Sequence, residues 1–329
     1  GDTVQETLRV ASEVGATRLH VSADVTPLGR RRESKLAREC GRRRMHFETF
    51  PGVTVVPAGE LTPAGADHFR VFTPYWNRWR STPLRPVLPA PVRLPGRLIG
   101  REGAIPPRSS ITSGSESPGR DRGGETAGRA RARRWLSRGD GGVARAAVGG
   151  ELSPDGSSRL SAYLHFGCVS PNELCHQARG HAELLRQLCW RDFHHQVVAA
   201  FPRLGRDDYR PGRRTWRADV DALSSWKEGD TGVPLVDAGM RQLRAEGWMP
   251  NRARMLAAYY LTRCLGVDWR HGAEHFMDWL TDADVANNYG NWQWVAGTGN
   301  DTRPNRIFNL TRQARRHDPR GEYIRRWLS

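Results

Sequence analysis

Residues 282–301, "DADVANNYGNWQWVAGTGND", crowd carboxylates, amides and two indoles into a stretch with hardly an aliphatic side chain. A core helix does not spend its length on such groups, and a solvated loop does not carry Trp292 and Trp294. Asp284, Asn288 and Trp292 are spaced by four, so they share one face if the segment is helical. Ionised carboxylates only accept hydrogen bonds. Asp282 and Asp284 therefore call for donors: sugar hydroxyls, a heterocycle N–H, or a guanidinium such as that of Arg254. Asp282 could equally cap a helix after Thr281, and both readings stay open at this point.

Two further segments mix aromatic and basic groups. "GWMPNRARMLAAYYLTRCLG" reads as a helix on which Trp248, Asn251 or Arg252, Met255, Ala258 or Tyr259 and Thr262 recur at helical spacing. "QLCWRDFHHQVV" repeats the idea with Gln187, Trp190, Arg191 and Phe193. Helix starts of that character can line a pocket for a flat, partly charged ligand, arginine meeting phosphate and tryptophan stacking. In "SSRLSAYLHFG", Ser157, Ser158 and Ser161 surround Arg159 and Leu160 at a helix start, where hydroxyls and free amides suit a phosphate. "HGAEH", residues 271–275, matches a zinc-hydrolase pattern, but no third ligand stands nearby. A solvated helix face is the better account, and no metal is expected.

The elements that must carry these groups fall into three parts. Residues 1–80 read as a partial α/β domain: a helix over "TVQETLRVASEVGA" closed by Gly15, a strand at "TRLHVSAD", a basic helix at "RRESKLARECGRRR" and a second strand at "GVTVVPAG". That alternation predicts a parallel sheet. The chain opens on a helix, so the first strands of such a domain are expected to be missing. Residues 81–150, rich in Pro, Gly, Ser and Arg, read as a linker interrupted by a short helix around "ETAGRARARRWL". Residues 151–329 read as all-α.

The net charge of +16 is carried by arginine, with Lys35 and Lys227 the only lysines. It points to a polyanionic partner, nucleic acid first, although part of the excess lies in the linker. The 12 tryptophans outnumber both the 9 phenylalanines and the 7 tyrosines, a more specific sign than charge. Cys40, Cys168, Cys175, Cys189 and Cys264 form no C-x-x-C pair, which favours reduced thiols over a disulfide framework or a zinc knuckle. No apolar run is long enough to span a membrane and no signal peptide is visible, so a cytoplasmic chain is expected.

"SSRLSAYLHFG", "LCWRDF", "WKEGDTGVPLVDAGMRQL", "GWMPNRARM", "DWRHG" and "DADVANNYGNWQWVAGTGNDTRPNRIFN" stand in the order and spacing of the photolyase/cryptochrome family. Over residues 151–327 the chain resembles a bacterial class I cyclobutane pyrimidine dimer photolyase. The resemblance implies a helical domain holding FAD, preceded by a Rossmann-like antenna domain. Ser157, Ser158, Arg159, Leu160 and Ser161 fall where the family holds the FAD phosphates, and Arg254, Asp282, Asp284 and Asn288 fall on flavin contacts. Asn251 and Gln187 would sit between flavin and lesion. Trp190, Arg191, Arg252, Met255 and Trp294 would face the lesion and the DNA, while Trp292, Trp269 and Trp216 would form the electron-transfer chain.

The implied partner is ultraviolet-damaged DNA, bound by a monomer with no obligatory protein partner. Departures from the family pattern are Gln187 for a usual glutamate, Pro250 for a frequent histidine and Leu184 for a tryptophan of some relatives. The chain also reads as shortened at both ends, so an antenna chromophore (deazaflavin or folate) is not expected to bind. Asn251 and Met255 stand where a (6-4) photolyase would carry histidines. A cryptochrome-like photoreceptor without repair, and a basic DNA-binding fragment that has lost flavin, are the competing readings.

Overall fold

Asp2 accepts the amides of Val4 and Gln5 and so starts helix α1 (Thr3–Glu13), which ends ahead of Gly15 at φ 65°. Strand β1 (Arg18–Ser22), helix α2 (Pro27–Arg42) and strand β2 (His46–Phe50) follow. The strands pair in parallel, His20 opposite Glu48; the parallel pairing was expected, but its second strand is His46–Phe50, which the sequence reading passed over. Leu19, Val21 and Phe47 turn inward against Val4, Leu8, Leu36 and Cys40 of the two helices. The computed structural model describes residues 2–93, 104–138, 152–153, 156–212, 215–303 and 307–329. The sheet has two strands among the described residues, too few to bear out the full Rossmann-like arrangement.

Among the described residues the remaining regular structure is helical, apart from one short 3-10 turn at Arg108–Ser110 and an isolated bridge between Arg217 and Val267. The helices are α3 (Phe72–Trp79), α4 (Glu125–Leu136), α5 (Ser161–His165), α6 (Pro171–Gln177) and α7 (Ala182–Ala200). After them come α8 (Val220–Glu228), α9 (Pro234–Glu246), α10 (Asn251–Tyr259), α11 (Trp269–Trp279) and α12 (Val285–Ala296). Helices α13 (Leu310–His317) and α14 (Glu322–Leu328) end the fold. The all-α reading of the second half holds. The helix expected around "GWMPNRARM" starts later than its periodicity suggested, because Pro250 takes the N-cap position and leaves Trp248 and Met249 outside. It runs on into a π turn at Tyr260–Cys264.

The second strand expected at "GVTVVPAG" does not form; residues 53–56 are a loop. Side chains take the backbone groups that a sheet would have used. The buried Asp192 carboxylate on α7 accepts the amides of Val55 and Val56 at 3.2 and 2.9 Å. Arg85 donates to the carbonyls of Pro51 and Thr54, and Arg191 donates to that of Val53. Backbone polar groups must be paired, and here the ladder lost to side-chain partners.

The same Asp192 accepts the Trp79 indole N–H at 2.8 Å, which seats α3 on α7. Val55, Val56, Phe72, Tyr75 and Trp79 thereby share one core with Leu188, Phe193 and Val197 of α7. The boundary expected near residue 80 therefore crosses a packed core. Part of the expected linker is also inside it: α4 forms where it was read, and Ala132 and Trp135 are buried. A second core joins α8 to α12 with Tyr323 of α14, around Trp226, Met240, Met249 and Trp269.

Asp192→Ala removes the acceptor for three buried donors at once. It should destabilise the fold by about 1–3 kcal/mol for each buried N–H left without an acceptor, several kcal/mol in all. Asp192→Asn, which keeps one acceptor oxygen, should lose less. Urea unfolding followed by tryptophan fluorescence measures both; equal stability of Asp192→Ala and the parent would refute this account.

Candidate functional site

Helix α12 is the axis of the site. Asp284 is its N-cap and accepts the Asn287 amide at 2.7 Å, so the segment is helical as its spacing required. Asn288 and Trp292 lie buried on one face of it. Asn288 Nδ2 donates to the Ala273 carbonyl of α11 at 2.9 Å, leaving its own carbonyl oxygen as an acceptor. The two readings of Asp282 resolve in favour of the guanidinium. Arg254 of α10 grips it with two N–H groups at 3.0 and 2.8 Å, and the helix cap is Asp284 instead. Two parallel bonds of that kind fix both planes.

Two histidines that the sequence reading passed over complete this face. His195 Nε2 lies 3.4 Å from Asp284 Oδ2, and His195 Nδ1 bonds the Arg191 carbonyl. Burial by itself would raise the Asp284 carboxyl, but the His195 charge and hydrogen bond hold it well below the usual carboxylate range. Next to it, burial and the charge on His195 push His194 down to about 4. His194 Nδ1 is buried without a hydrogen-bond partner and lies against Gly290, and so close that a Cβ there would overlap it. Both residues follow the W-R-D-F motif directly, and only their place in it could have marked them.

The expected lesion residues gather in part. Trp190 stacks on Phe72 with ring centroids 3.6 Å apart and meets Trp294 edge-on at 5.2 Å. Asn251 is exposed at the start of α10 and bonds the Met255 sulfur at 3.7 Å, with Arg252 half-buried between them. Gln187 is exposed on α7 and bonds Glu183. Arg191 is engaged with the Val53 carbonyl, so its guanidinium serves the loop rather than an open surface.

In the serine segment, Ser157 and Ser158 accept the amides of Arg159 and Leu160. Arg159 has a left-handed φ of 51°, its guanidinium bonds Glu246 and its charge lies 4.1 Å over the Trp248 ring. Leu160 is buried and Ser161 exposed. Of the three expected electron carriers, Trp292 and Trp269 are buried and Trp216 is half-buried at the edge of the second core. Trp292 packs edge-on against Phe276 and Trp226 at 5.0 and 5.9 Å, and Trp269 against Tyr289 at 6.3 Å. The Trp269 indole N–H bonds Asp208, while that of Trp292 is buried and unpartnered.

"HGAEH" lies on α11, where Gly272 and Ala273 are buried while His271 and Glu274 are exposed. His275 packs against Trp226 and Trp279.

Residues 184–329 match the family model for the FAD binding domain of DNA photolyase, and residues 1–93 match the model for DNA photolyase. The deoxyribodipyrimidine photo-lyase of Streptomyces griseus is 48% identical over 338 residues, covering 100% of this chain and 73% of the relative. This chain belongs to the photolyase/cryptochrome family. The Escherichia coli deoxyribodipyrimidine photo-lyase is 34% identical, covering 99% of this chain and 71% of that one. Among solved structures, a cryptochrome of Synechocystis superposes with a TM-score of 0.89 at 30% identity, over 99% of this chain and 71% of that one. The photolyase fold, with an N-terminal photolyase domain and a C-terminal FAD-binding domain, is thus the architecture of this family member.

His194 binds its proton with a value of about 4 when folded against 6.5 ordinarily. Between those values the unfolded chain holds a proton that the folded chain does not. Stability is therefore complete above about pH 6.5 and falls toward pH 4 by up to about 1.4 kcal/mol per pH unit for each such group. His275, pushed down to about 4 by burial and then by Lys227, adds a second loss of the same sign. Asp284, also depressed, adds its loss only below the ordinary carboxylate value of 3.8. His194→Phe should make the fall between pH 6.5 and 4 about half as steep in urea unfolding at stepped pH. An unchanged slope would remove His194 from this account.

Proposed function

We propose that this chain carries out light-driven repair of cyclobutane pyrimidine dimers in DNA, using FAD held in its helical region. The observation that carries the reading is the row on and beside α12: Asp282 gripped by Arg254, Asp284 at the N-cap, and Asn288 and Trp292 on the buried face. The donor set fits a flavin nucleotide. Asp282 and Asp284 are acceptors for hydroxyl and N–H groups, Asn288 offers a carbonyl oxygen, and the unpartnered indole N–H of Trp292 shows a buried donor awaiting an acceptor.

When bound and fully reduced, FAD supplies on excitation the electron that splits the cyclobutane ring and takes it back afterwards. The protein's own groups position and shield. In this proposal Arg254 fixes the plane of Asp282, His195 holds Asp284 ionised, and the segment from Ser157 to Ser161, with Arg159 and Leu160, receives the phosphates. Asn251 and Gln187 would lie between flavin and lesion. Trp190, Arg252, Met255 and Trp294 receive a dimer turned out of the helix, a step that costs less for a distorted lesion than for a paired base. Trp292, Trp269 and Trp216 relay electrons inward from the surface. The arginine excess supplies the phosphate attraction.

In domain terms, residues 1–80 are assigned to a partial Rossmann-like antenna-type unit, 81–150 to a linker and 151–329 to the flavin and lesion domain. No described helix is long and apolar enough to cross a membrane.

An oligonucleotide bearing one thymine dimer, incubated with the flavin-loaded protein, should be restored under blue light and not in the dark. A chain that binds flavin yet restores nothing would point to the photoreceptor reading. Trp294→Ala should weaken binding to the damaged oligonucleotide by about 1–3 kcal/mol, the value of one stacked base, and undamaged binding by less. Equal losses on both would remove Trp294 from the lesion site. Trp216→Phe keeps most of the aromatic volume but is harder to oxidise. It should retain flavin and thermal stability yet photoreduce more slowly than the parent with an external thiol. A parental rate would remove Trp216 from the relay, and loss of flavin would make its role packing alone.

A further inference from the structure

The outer face of the small sheet carries a group of side chains that the repair reading does not use. His20 lies on β1 and its register partner on β2 is Glu48, with His46 two residues earlier on the same strand. Side chains alternate between the faces of a strand. His20, His46 and Glu48 therefore stand together on one face, while Leu19, Val21 and Phe47 point to the core under α1 and α2. The nearest metal-ligating atoms of the three all lie within 4.8 Å of one another, and His20 Nε2 is 3.9 Å from Glu48 Oε2. The His20 ring is braced against Phe50 at 5.1 Å and meets His46 edge-on at 6.3 Å, so two imidazoles and a carboxylate are held by backbone register rather than by a flexible loop.

The geometry points to a surface site for a divalent transition-metal ion, zinc in the first instance, with His20, His46 and Glu48 as its protein ligands. Two imidazole nitrogens and one carboxylate oxygen form a donor set that zinc accepts, with bonds of about 2.0–2.2 Å. Tetrahedral donors at those lengths sit about 3.3 Å apart. Side-chain rotations at this exposed face close the remaining gap without moving the strands. Imidazole donors favour borderline ions over magnesium or calcium, which take oxygen ligands. Water completes the fourth position. Because one ligand comes from β1 and two from β2, the ion ties the strands together, and anything that binds only the folded form stabilises it.

The test uses the whole chain, stripped with EDTA and titrated with zinc chloride by calorimetry, alongside thermal melts with and without zinc. The expected result is one saturable equivalent and a melting temperature that rises with zinc. His20→Ala, His46→Ala and Glu48→Gln should each weaken zinc binding by at least about tenfold, the loss seen even when an outer partner of a metal ligand is removed. All three positions are exposed, so their melts in EDTA should match the parent. His271→Ala, an exposed histidine on α11, should bind zinc as the parent does. Cobalt substituted for zinc should give the visible absorption of a four-coordinate ion, lost in His20→Ala. Absence of a saturable equivalent would overturn the proposal. So would zinc binding that survives in both His20→Ala and Glu48→Gln, or that is lost equally in His271→Ala.

Discussion

Asp192 is wholly enclosed, and burial pushes its carboxyl pKa up against the opposing pull of the Val56 amide and the Trp79 indole. Its partners in hydrogen bonds are all N–H donors, two backbone amides and one indole, so both of its oxygens serve as acceptors. Those donors come from the first quarter of the chain, the carboxylate from its middle. The loop at 53–56, the seat of α3 and the stacking of Phe72 on Trp190 all depend on that connection.

One stretch of α7 serves three directions at once, because residues four apart share a helix face. Asp192 and Gln196 turn toward the N-terminal region; Gln196 holds both the amide and the carbonyl of Phe69. Arg191 and His195 form the second pair, joined by the bond from His195 to the Arg191 carbonyl, and reach Val53 and Asp284. Trp190 and His194, whose rings stack at 5.8 Å, form the third and reach Trp294 and Gly290. A single helix therefore sets the distance between the expected lesion face, the expected flavin helix and the N-terminal region. Six of the seven residues from Trp190 to Gln196 are thus committed to three interfaces meeting on one element.

Periodicity was enough to read α1, α2, α4 and the face of α12, because each buries a stripe fixed by local spacing. It failed at residues 53–56, where a β-branched run reads as a strand but its backbone partners, Asp192, Arg191 and Arg85, are distant in sequence and invisible to a local window. The start of α10 was misplaced for a different reason: Trp248 falls in phase with the helix although Pro250 sets the N-cap. At the site, Arg254 and Asp282 were legible as complementary types, since a carboxylate in apolar company requires a donor. His195 was not. A histidine in a buried helix pattern looks like packing until the fold shows that Asp284 lies 3.4 Å away.

The segment "HGAEH" shows how fold context decides between chemistries that a motif leaves open. Its histidines suggest a metal, yet the residues that α11 presents to α12 are the small ones. A Cβ at Gly272 would meet the rim of the Trp292 ring at 2.2 Å and Leu261 at 2.6 Å, so glycine is what lets the indole approach the helix this closely. The adjacent Ala273 offers its carbonyl to Asn288 because no bulk stands in the way. Gly290 plays the same part on the other side, where His194 occupies the space a side chain would take. Close approach at these two glycines brings α7, α11 and α12 near enough for Trp292, Asn288 and Asp284 to be held from three sides. Interiors packed at crystal-like density transmit such constraints over several residues. The position of the indole and amide is thus set by what is missing from their neighbours as much as by the hydrogen bonds they make.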